Sequence, residues 1–446
     1  MQKTSVRRVG ALLVGLALVA SACGDDDKKG SDSTAANTVE TTAAPETTMA
    51  DMAGSELMGM KGTTPLVELS QDFKDRLATT PSGAALTDYN YAGETYDAIV
   101  VIALAVQEAG TDGSAYADHI VGITKDGEKC TDFAACAEII AAGGDVDYDG
   151  FSGPITMNGN GEPLEASYGI LQFGEGNQID DSLTEFVVAS APESAAKPLG
   201  TTDVAREGDG KLQIGGLLPQ TGSLAFLGAP EFAGAELAIA DINAAGGVLG
   251  SDVTWSPGDS GDTSTDIASQ TADRLLQEGV DAIIGAASSA VSLTVIDKIT
   301  AAGVVQYSPA NTSLTLVDYP DHALYFRNAP PDDLQGNVIA QLVIDDGNQS
   351  AFILALDDAY GTSLAGIIEP ALTAAGVEVL GTKIYDPEAT SFDAEVDEVV
   401  AADPDAIILI TFDEGSRILK TMVEKGIGPQ NKAVYGCDGN MGNALW

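Results

Sequence analysis

From Lys211 onward, short apolar runs alternate with stretches whose apolar residues recur every three to four positions. Leu212–Leu218 reads as a strand, and Pro230–Ala244 as a helix with Phe232, Ala235, Ile239 and Ile242 on one face. The same pattern predicts strands over Asp252–Trp255, Val280–Ile284 and Val304–Tyr307, and helices over Ser264–Glu278 and Ser292–Ala302. After Pro330-Pro331 the alternation restarts. Helices are predicted over Leu334–Ile344, Gly361–Ala375, Phe392–Ala402 and Glu414–Lys425. Strands are predicted over Ala351–Leu356, Val377–Tyr385, Ala406–Thr411 and Ala433–Gly436. Strands with near-continuous apolar runs, each followed by a helix, imply an α/β fold of mainly parallel sheets sandwiched by helices. Two such runs, 211–330 and 331–446, imply two lobes.

Residues 58–190 follow a different order. Helices are predicted at about 68–78, 94–109 and 133–142, followed by a β-hairpin. In that hairpin Gly153–Met157 leads into Asn158-Gly159-Asn160-Gly161, and the second strand is Ala166–Phe173. Residues 191–210, rich in Ala, Pro, Glu and Thr, read as a linker.

The first 23 residues have the build of a bacterial export signal. Lys3, Arg7 and Arg8 precede the uncharged stretch Val9–Ala22, which is too short to span a bilayer comfortably. It ends in Ala20-Ser21-Ala22-Cys23, which resembles the lipobox of bacterial lipoproteins, where the Cys is lipidated. Ala20 stands where that pattern more often has Leu, and a plain secretory signal is the alternative. Residues 24–57 begin with Asp, Ser, Thr, Ala and Lys and almost no large apolar side chain, the composition of a flexible tether.

Charge narrows the choice of partners. The chain carries 67 acidic and 21 basic residues, for a net charge of -46, which argues against nucleic acid or an anionic lipid surface. With only two His, there is little material for a His-rich metal site or a His-based triad. No phosphate loop or nucleophile elbow occurs, so neither a cofactor nor a catalytic activity is expected. Cys23 is assigned to lipid, and Cys130 and Cys136 to a short-loop disulfide, with zinc as the weaker alternative. Cys437 is left as a small buried residue. Asp145–Gly150 begins like a calcium loop, but its twelfth position is Thr156 instead of Glu, so a turn is expected there. His119 and His322 have no evident partners.

Several segments resemble the leucine/isoleucine/valine-binding family of periplasmic solute-binding proteins. Thr221-Gly222-Ser223-Leu224-Ala225 runs into Gly228 and the helix Glu231–Ala238, followed by Asp241-Ile242-Asn243-Ala244-Ala245-Gly246-Gly247-Val248-Leu249-Gly250. Ile284–Ser289 and Tyr307–Thr312 continue the match. Residues 211–446 thereby resemble the amino-terminal two thirds of the family. Gly62–Pro65, Tyr96-Asp97-Ala98, Gly153-Pro154-Ile155 and Asn160–Pro163 resemble its closing third, yet stand first. The order implies a circular permutant, with 191–210 joining the old termini; a fragment of a longer tandem is the alternative.

The resemblance implies a two-lobed fold with a ligand cleft between the lobes. An amino acid offers a carboxylate, an ammonium and a side chain. Ser288-Ser289, after a strand and before a helix, suit a carboxylate, because hydroxyls, free N–H groups and the helix dipole converge there. By resemblance Ser289 contacts the ligand carboxylate, Ala310 offers a carbonyl to the ammonium, and Thr312 adds a hydroxyl and its N–H. Also by resemblance, Tyr360 and Phe412 face the ligand, and Asp438 stands where an acid pairs with its ammonium; the best-known members have Glu there. Phe226 or Leu227, with Tyr91, are expected at the side-chain end. The implied function is a lipid-anchored extracytoplasmic receptor that delivers an amino acid, branched-chain or otherwise apolar, to an ABC permease. A ligand sensor and a urea or short-amide receptor are the alternatives.

Overall fold

The computed structural model describes residues 54–191 and 200–446, with the backbone of Arg7–Arg8. Cys23, the rest of the expected signal, most of the expected tether and residues 192–199 lie outside the described residues.

Lobe 1 is built on a five-stranded sheet in which every pairing is parallel. Its spatial order is Tyr325–Arg327, Val305–Ser308, Ala282–Gly285, Gln213–Leu217 and Thr254–Ser256. Lobe 2 carries an eight-stranded sheet in the order Arg7–Arg8, Glu185–Ser190, Glu165–Gln172, Lys61–Pro65, Ala433–Gly436, Ala406–Ile410, Ser350–Leu356 and Glu378–Tyr385. From Lys61–Pro65 to the last of these the strands are parallel, and Glu165–Gln172 is antiparallel to both its neighbours. The central strands Ala282–Gly285 and Ala406–Ile410 are buried at every residue, as continuous apolar runs require.

Residues 58–190 complete both lobes. Lys61–Pro65 extends the lobe 2 sheet through Tyr435↔Lys61 and Gly436↔Gly62. The helix Ala92–Ala109 packs in lobe 1 against Ala225–Ala244. It is apolar nearly all round and buried from Ala92 to Val106, as such a helix must be. Gly234 permits the approach, because a Cβ there would stand 2.2 Å from the carbonyl oxygen of Ala92.

Several elements differ from the sequence pattern. Gly153–Met157 is not a strand. Asn158 Oδ1 accepts from the N–H groups of Asn160 (2.7 Å) and Glu162 (3.3 Å), closing a local turn with one isolated bridge, Met157↔Pro163. Pro154 and Pro163 cannot donate to a ladder, and Glu165–Gln172 finds its partners in Lys61–Pro65 and Glu185–Ser190. The helix expected from Pro230 begins at Ala225, and the one expected from Ser292 begins at Ser289. The end of the linker is tied down: Arg206 pairs with Asp281 at 2.6 Å, and Asp112 accepts from the N–H groups of Asp209, Gly210 and Lys211.

Cys130 and Cys136 are joined by a disulfide, and Cys437 is a free, buried thiol. Within the Asp145–Gly150 stretch, Val146–Tyr148 is a strand, and Asp147 and Asp149 both pair with Lys129. His119 lies 3.3 Å from Glu108 and His322 lies 2.7 Å from Asp203, so each has an acidic partner distant in sequence or hidden by helix geometry.

Docking of 58–190 onto 211–446 makes a direct prediction. Gly234→Ala should lower stability by about 1–3 kcal/mol, the usual cost of overpacking, measured by chemical denaturation. A variant as stable as the parent contradicts the helix contact.

Candidate ligand site

On the lobe 1 side, the site is formed by the turns that follow two parallel strands. Ser288 caps the helix Ser289–Ala301 by accepting from the N–H of Val291 at 3.3 Å. Ser289, the first helical residue, accepts through Oγ from the N–H groups of Thr312 (3.3 Å) and Ser313 (3.2 Å). These bonds tie the turn after Ala282–Gly285 to the loop after Val305–Ser308. That loop is braced further. Ser308 Oγ donates to the carbonyl of Ala286 at 2.7 Å, and Asn311 Nδ2 donates to the carbonyls of Ala286 and Ala287.

A buried ion pair holds the same loop from below. Arg327 Nη1 donates to the carbonyls of Asn311 (3.2 Å) and Ser313 (2.9 Å), on either side of Thr312, while Nη2 pairs with Glu162. Arg327 is fully buried, so Glu162 supplies the charge that makes its burial tolerable. Glu162 belongs to the 58–190 segment, which therefore helps set the position of Ala310 and Thr312.

Lobe 2 contributes an acid and two rings. Asp358 caps the helix Ala359–Ala374, and this places Tyr360 in its first turn. The Phe412 ring stacks on that of Tyr360 with centroids 5.4 Å apart and planes 10° from parallel. Asp438, just beyond Ala433–Gly436, is buried. Its Oδ1 accepts from Tyr360 Oη (2.8 Å) and Gln335 Nε2 (2.9 Å), and its Oδ2 accepts from Tyr91 Oη (2.7 Å). Among the described residues no Lys, Arg or His lies within ion-pair distance of it. Burial raises the Asp438 carboxyl above its ordinary value, against the pull of these three donors. Burial, and then the Asp438 charge, push the phenols of Tyr91 and Tyr360 well up.

These groups enclose one cavity between the lobes. Ser288, Ser289, Ala310 and Thr312 line its lobe 1 side, and Tyr360, Phe412, Asp438 and Gly439 its lobe 2 side; Tyr91, Leu224 and Leu227 complete the wall. It holds about 270 Å³ of empty space. Residues of both lobes meet around this small site. Phe226 is not in the wall; its ring packs toward Gly442, and Leu224 stands at the cavity instead. Leu224 and Leu227, three residues apart, share the face that Phe226 does not, a distinction the sequence motif does not carry.

Two further polar residues join the site without a sequence signal. Gln335 donates to Asp438 and also to Thr63 Oγ1 at 3.2 Å. Asp332 is fully buried, and its N–H donates to the carbonyl of Thr312 at 2.8 Å. Neither carboxyl oxygen of Asp332 has an aligned hydrogen-bond partner, and the same holds for Thr312 Oγ1. Burial pushes the Asp332 carboxyl up to about 7; the nearby hydroxyls of Ser363 and Thr312 oppose the rise and the Asp438 charge adds to it. In sequence, Asp332 reads as an ordinary acid in the first turn of a helix, where the dipole alone explains it.

Comparison with known proteins places this geometry. Residues 211–443, just over half the chain, match the family model described as "Periplasmic binding protein", and residues 30–176 match "Receptor family ligand binding region". A relative in Halobacterium salinarum, the chemotactic signal transduction system substrate-binding protein BasB, is 30% identical over 44% of this chain and 49% of its own. The Leu/Ile/Val-binding protein homolog 7 of Brucella abortus is 26% identical over 51% of this chain and 59% of its own. The isoleucine-bound branched-chain amino acid transporter substrate-binding protein LivJ of Streptococcus pneumoniae is similar at 27% identity and TM-score 0.45, covering 51% of this chain and 64% of that one. The match spans about half the length of BasB and less than two thirds of the others.

The buried brace beneath Thr312 can be tested by itself. Glu162→Ala should cost about 3–5 kcal/mol of stability, because it strands a buried guanidinium. A urea melt measures this, and a loss below about 1 kcal/mol contradicts the brace.

Proposed function

Because this chain belongs to the periplasmic binding protein family, we propose that it is an extracytoplasmic solute-binding protein that closes its two lobes on an amino acid. One observation carries the reading. Asp438 is a buried carboxylate with three hydrogen-bond donors and no cation, opposite hydroxyls that suit an anion. A carboxylate has about four acceptor places, so one is left for an ammonium N–H. The carbonyl of Ala310 is a further acceptor for the same group, and the Asp332 carboxyl, buried behind Thr312, acts on it through its charge. The hydroxyls of Ser289 and Thr312, with the N-terminus of Ser289–Ala301, suit the ligand carboxylate. Leu224, Leu227, Phe412 and the ring of Tyr91 favour an apolar side chain, and the relatives named as Leu/Ile/Val-binding support a branched-chain one.

The rest of the proposal concerns delivery. Cys23 is read as a lipid anchor, and an ABC permease as the partner that receives the ligand. No cofactor enters and no bond is made or broken. The pairing of Lys61–Pro65 with Ala433–Gly436 supports the reading of the chain as a circularly permuted member, since it brings the two segments together as neighbours in one sheet. A sensor is the second reading, favoured by the chemotactic role in the name of BasB; it shares the ligand site and differs only in the membrane partner.

A thermal-shift screen of the protein against amino acids, urea and short amides tests the ligand class. The right amino acid at a hundred times its Kd should add about 2.7 kcal/mol of stability. Asp438→Asn should weaken its binding by about 2–5 kcal/mol, measured by calorimetry. Binding of urea or an amide that is indifferent to Asp438→Asn would overturn the amino-acid reading.

Acidity gives a separate check. An ammonium prefers ionised carboxyls, whereas Asp332 in the free protein titrates at about 7. Binding should therefore release protons, and affinity should fall as pH is lowered through about 7, with Asp332→Asn flattening that part of the profile. An affinity independent of pH between 5 and 8 speaks against an ammonium beside Asp332.

A further inference from the structure

The geometry points to Tyr91 as a cross-cleft clamp: its phenol bonds Asp438 from the opposite lobe and stabilises the closed cleft by itself. Tyr91 stands at the head of the helix Ala92–Ala109, which is packed into lobe 1, whereas Asp438 follows a strand of the lobe 2 sheet. The 2.7 Å bond from Tyr91 Oη to Asp438 Oδ2 therefore crosses between the lobes. Tyr360 and Gln335, the other donors to this carboxylate, both sit on lobe 2 helices. The Tyr91 bond joins the lobes, alongside those from Ser313 to Ala359 and from Leu314 to Ser363, whereas the Tyr360 bond lies within one lobe.

The backbone supports the same role. Tyr91 has φ 61° and ψ 8°, in the left-handed region that an aromatic residue seldom occupies. Such a conformation persists only where the surroundings over-determine it. Here the surroundings are explicit. Asn90 Nδ2 donates to the carbonyl of Met441 at 3.1 Å, and Asp88 accepts from Asn443 Nδ2 at 2.8 Å. These bonds strap residues 88–90 to the segment just beyond Asp438. The chain then turns through Tyr91 into lobe 1, and the turn delivers the phenol to the carboxylate. A charge-assisted bond of this kind, shut away from water, is among the stronger single contacts a cleft can make.

Two consequences follow for the site. A ligand ammonium must share Asp438 with the Tyr91 phenol, so the clamp sets how much of the acid's acceptor capacity the ligand can use. A closed cleft must also open before a ligand enters. The clamp does not depend on which ligand binds, so it can be tested with none present.

Dyes attached at Thr263→Cys and Glu388→Cys, exposed positions lining the mouth between the lobes, report closure by single-molecule energy transfer in the ligand-free full-length protein. Tyr91→Phe should shift the closed-to-open ratio toward open by about ten-fold or more, the worth of one hydrogen bond to a charged group. Tyr360→Phe, which removes a donor within one lobe, should leave the ratio within about two-fold. In the Asp438→Asn background, Tyr91→Phe should have less than half its effect on the logarithm of that ratio. A cooperative melt of each variant confirms folding. Equal shifts for Tyr91→Phe and Tyr360→Phe, or no shift for either, overturn the clamp. If Tyr91→Phe does not fold, Tyr91→Leu supplies the same comparison.

Discussion

Two residue pairs, Tyr435 with Lys61 and Gly436 with Gly62, join a strand near one end of the described chain to a strand near the other. The lobe 2 side of the ligand site is built around that junction. Both glycines are required by close approach: a Cβ on Gly62 would stand 2.6 Å from the carbonyl oxygen of Gly436, and one on Gly436 would stand 2.7 Å from Met441 Sδ. With the strands in contact, the chain leaving Gly436 turns directly into Asp438. The chain leaving Pro65 runs on to the helix that carries Tyr91. Acid and phenol meet because Asn90 and Asp88, just before Tyr91, are bonded to Met441 and Asn443, just beyond Asp438.

Buried acids in this protein fall into two kinds. Glu231 is fully buried with no partner for either oxygen, and burial raises its carboxyl far above the ordinary range; burial likewise pushes Glu94 up to about 8. Such groups are neutral at physiological pH, which is how a protein tolerates a carboxyl it does not solvate. Asp438 is different. Burial raises its carboxyl too, but three donors from three elements converge on it and oppose that rise, which nothing does for Glu231. A charge maintained in the interior without a counter-ion is costly unless something cationic completes it. On the proposed reading an ammonium ligand completes it, in a cleft whose low local dielectric strengthens the pair.

Much of this was legible in the sequence, for reasons that differ by element. The parallel strands were visible because burial on both faces leaves unbroken runs such as Ala406–Ile410, which no polar residue interrupts. Ser289, Thr312, Tyr360 and Asp438 stood out because they follow strands at positions matched by a family motif, and the cavity brings all four together. The hairpin at Asn158-Gly159 misled because a turn signal fixes a turn and not its partner. Asn158 closes its own loop while Glu162 is drawn to Arg327, so the next strand pairs elsewhere. Gln335 and Asp332 were invisible for a related reason. Each lies on a helix face with ordinary polar composition, and only the tertiary fold turns that face toward Asp438 and Thr312.

A crystal structure of the protein with the amino acid that stabilises it most tests the central claim most directly. The ligand ammonium should lie within about 3 Å of Asp438, beside the Ala310 carbonyl, with the ligand carboxylate on Ser289 and Thr312 and the side chain toward Leu227. A ligand bound in the opposite sense, or anywhere outside the cleft between the lobes, would contradict it.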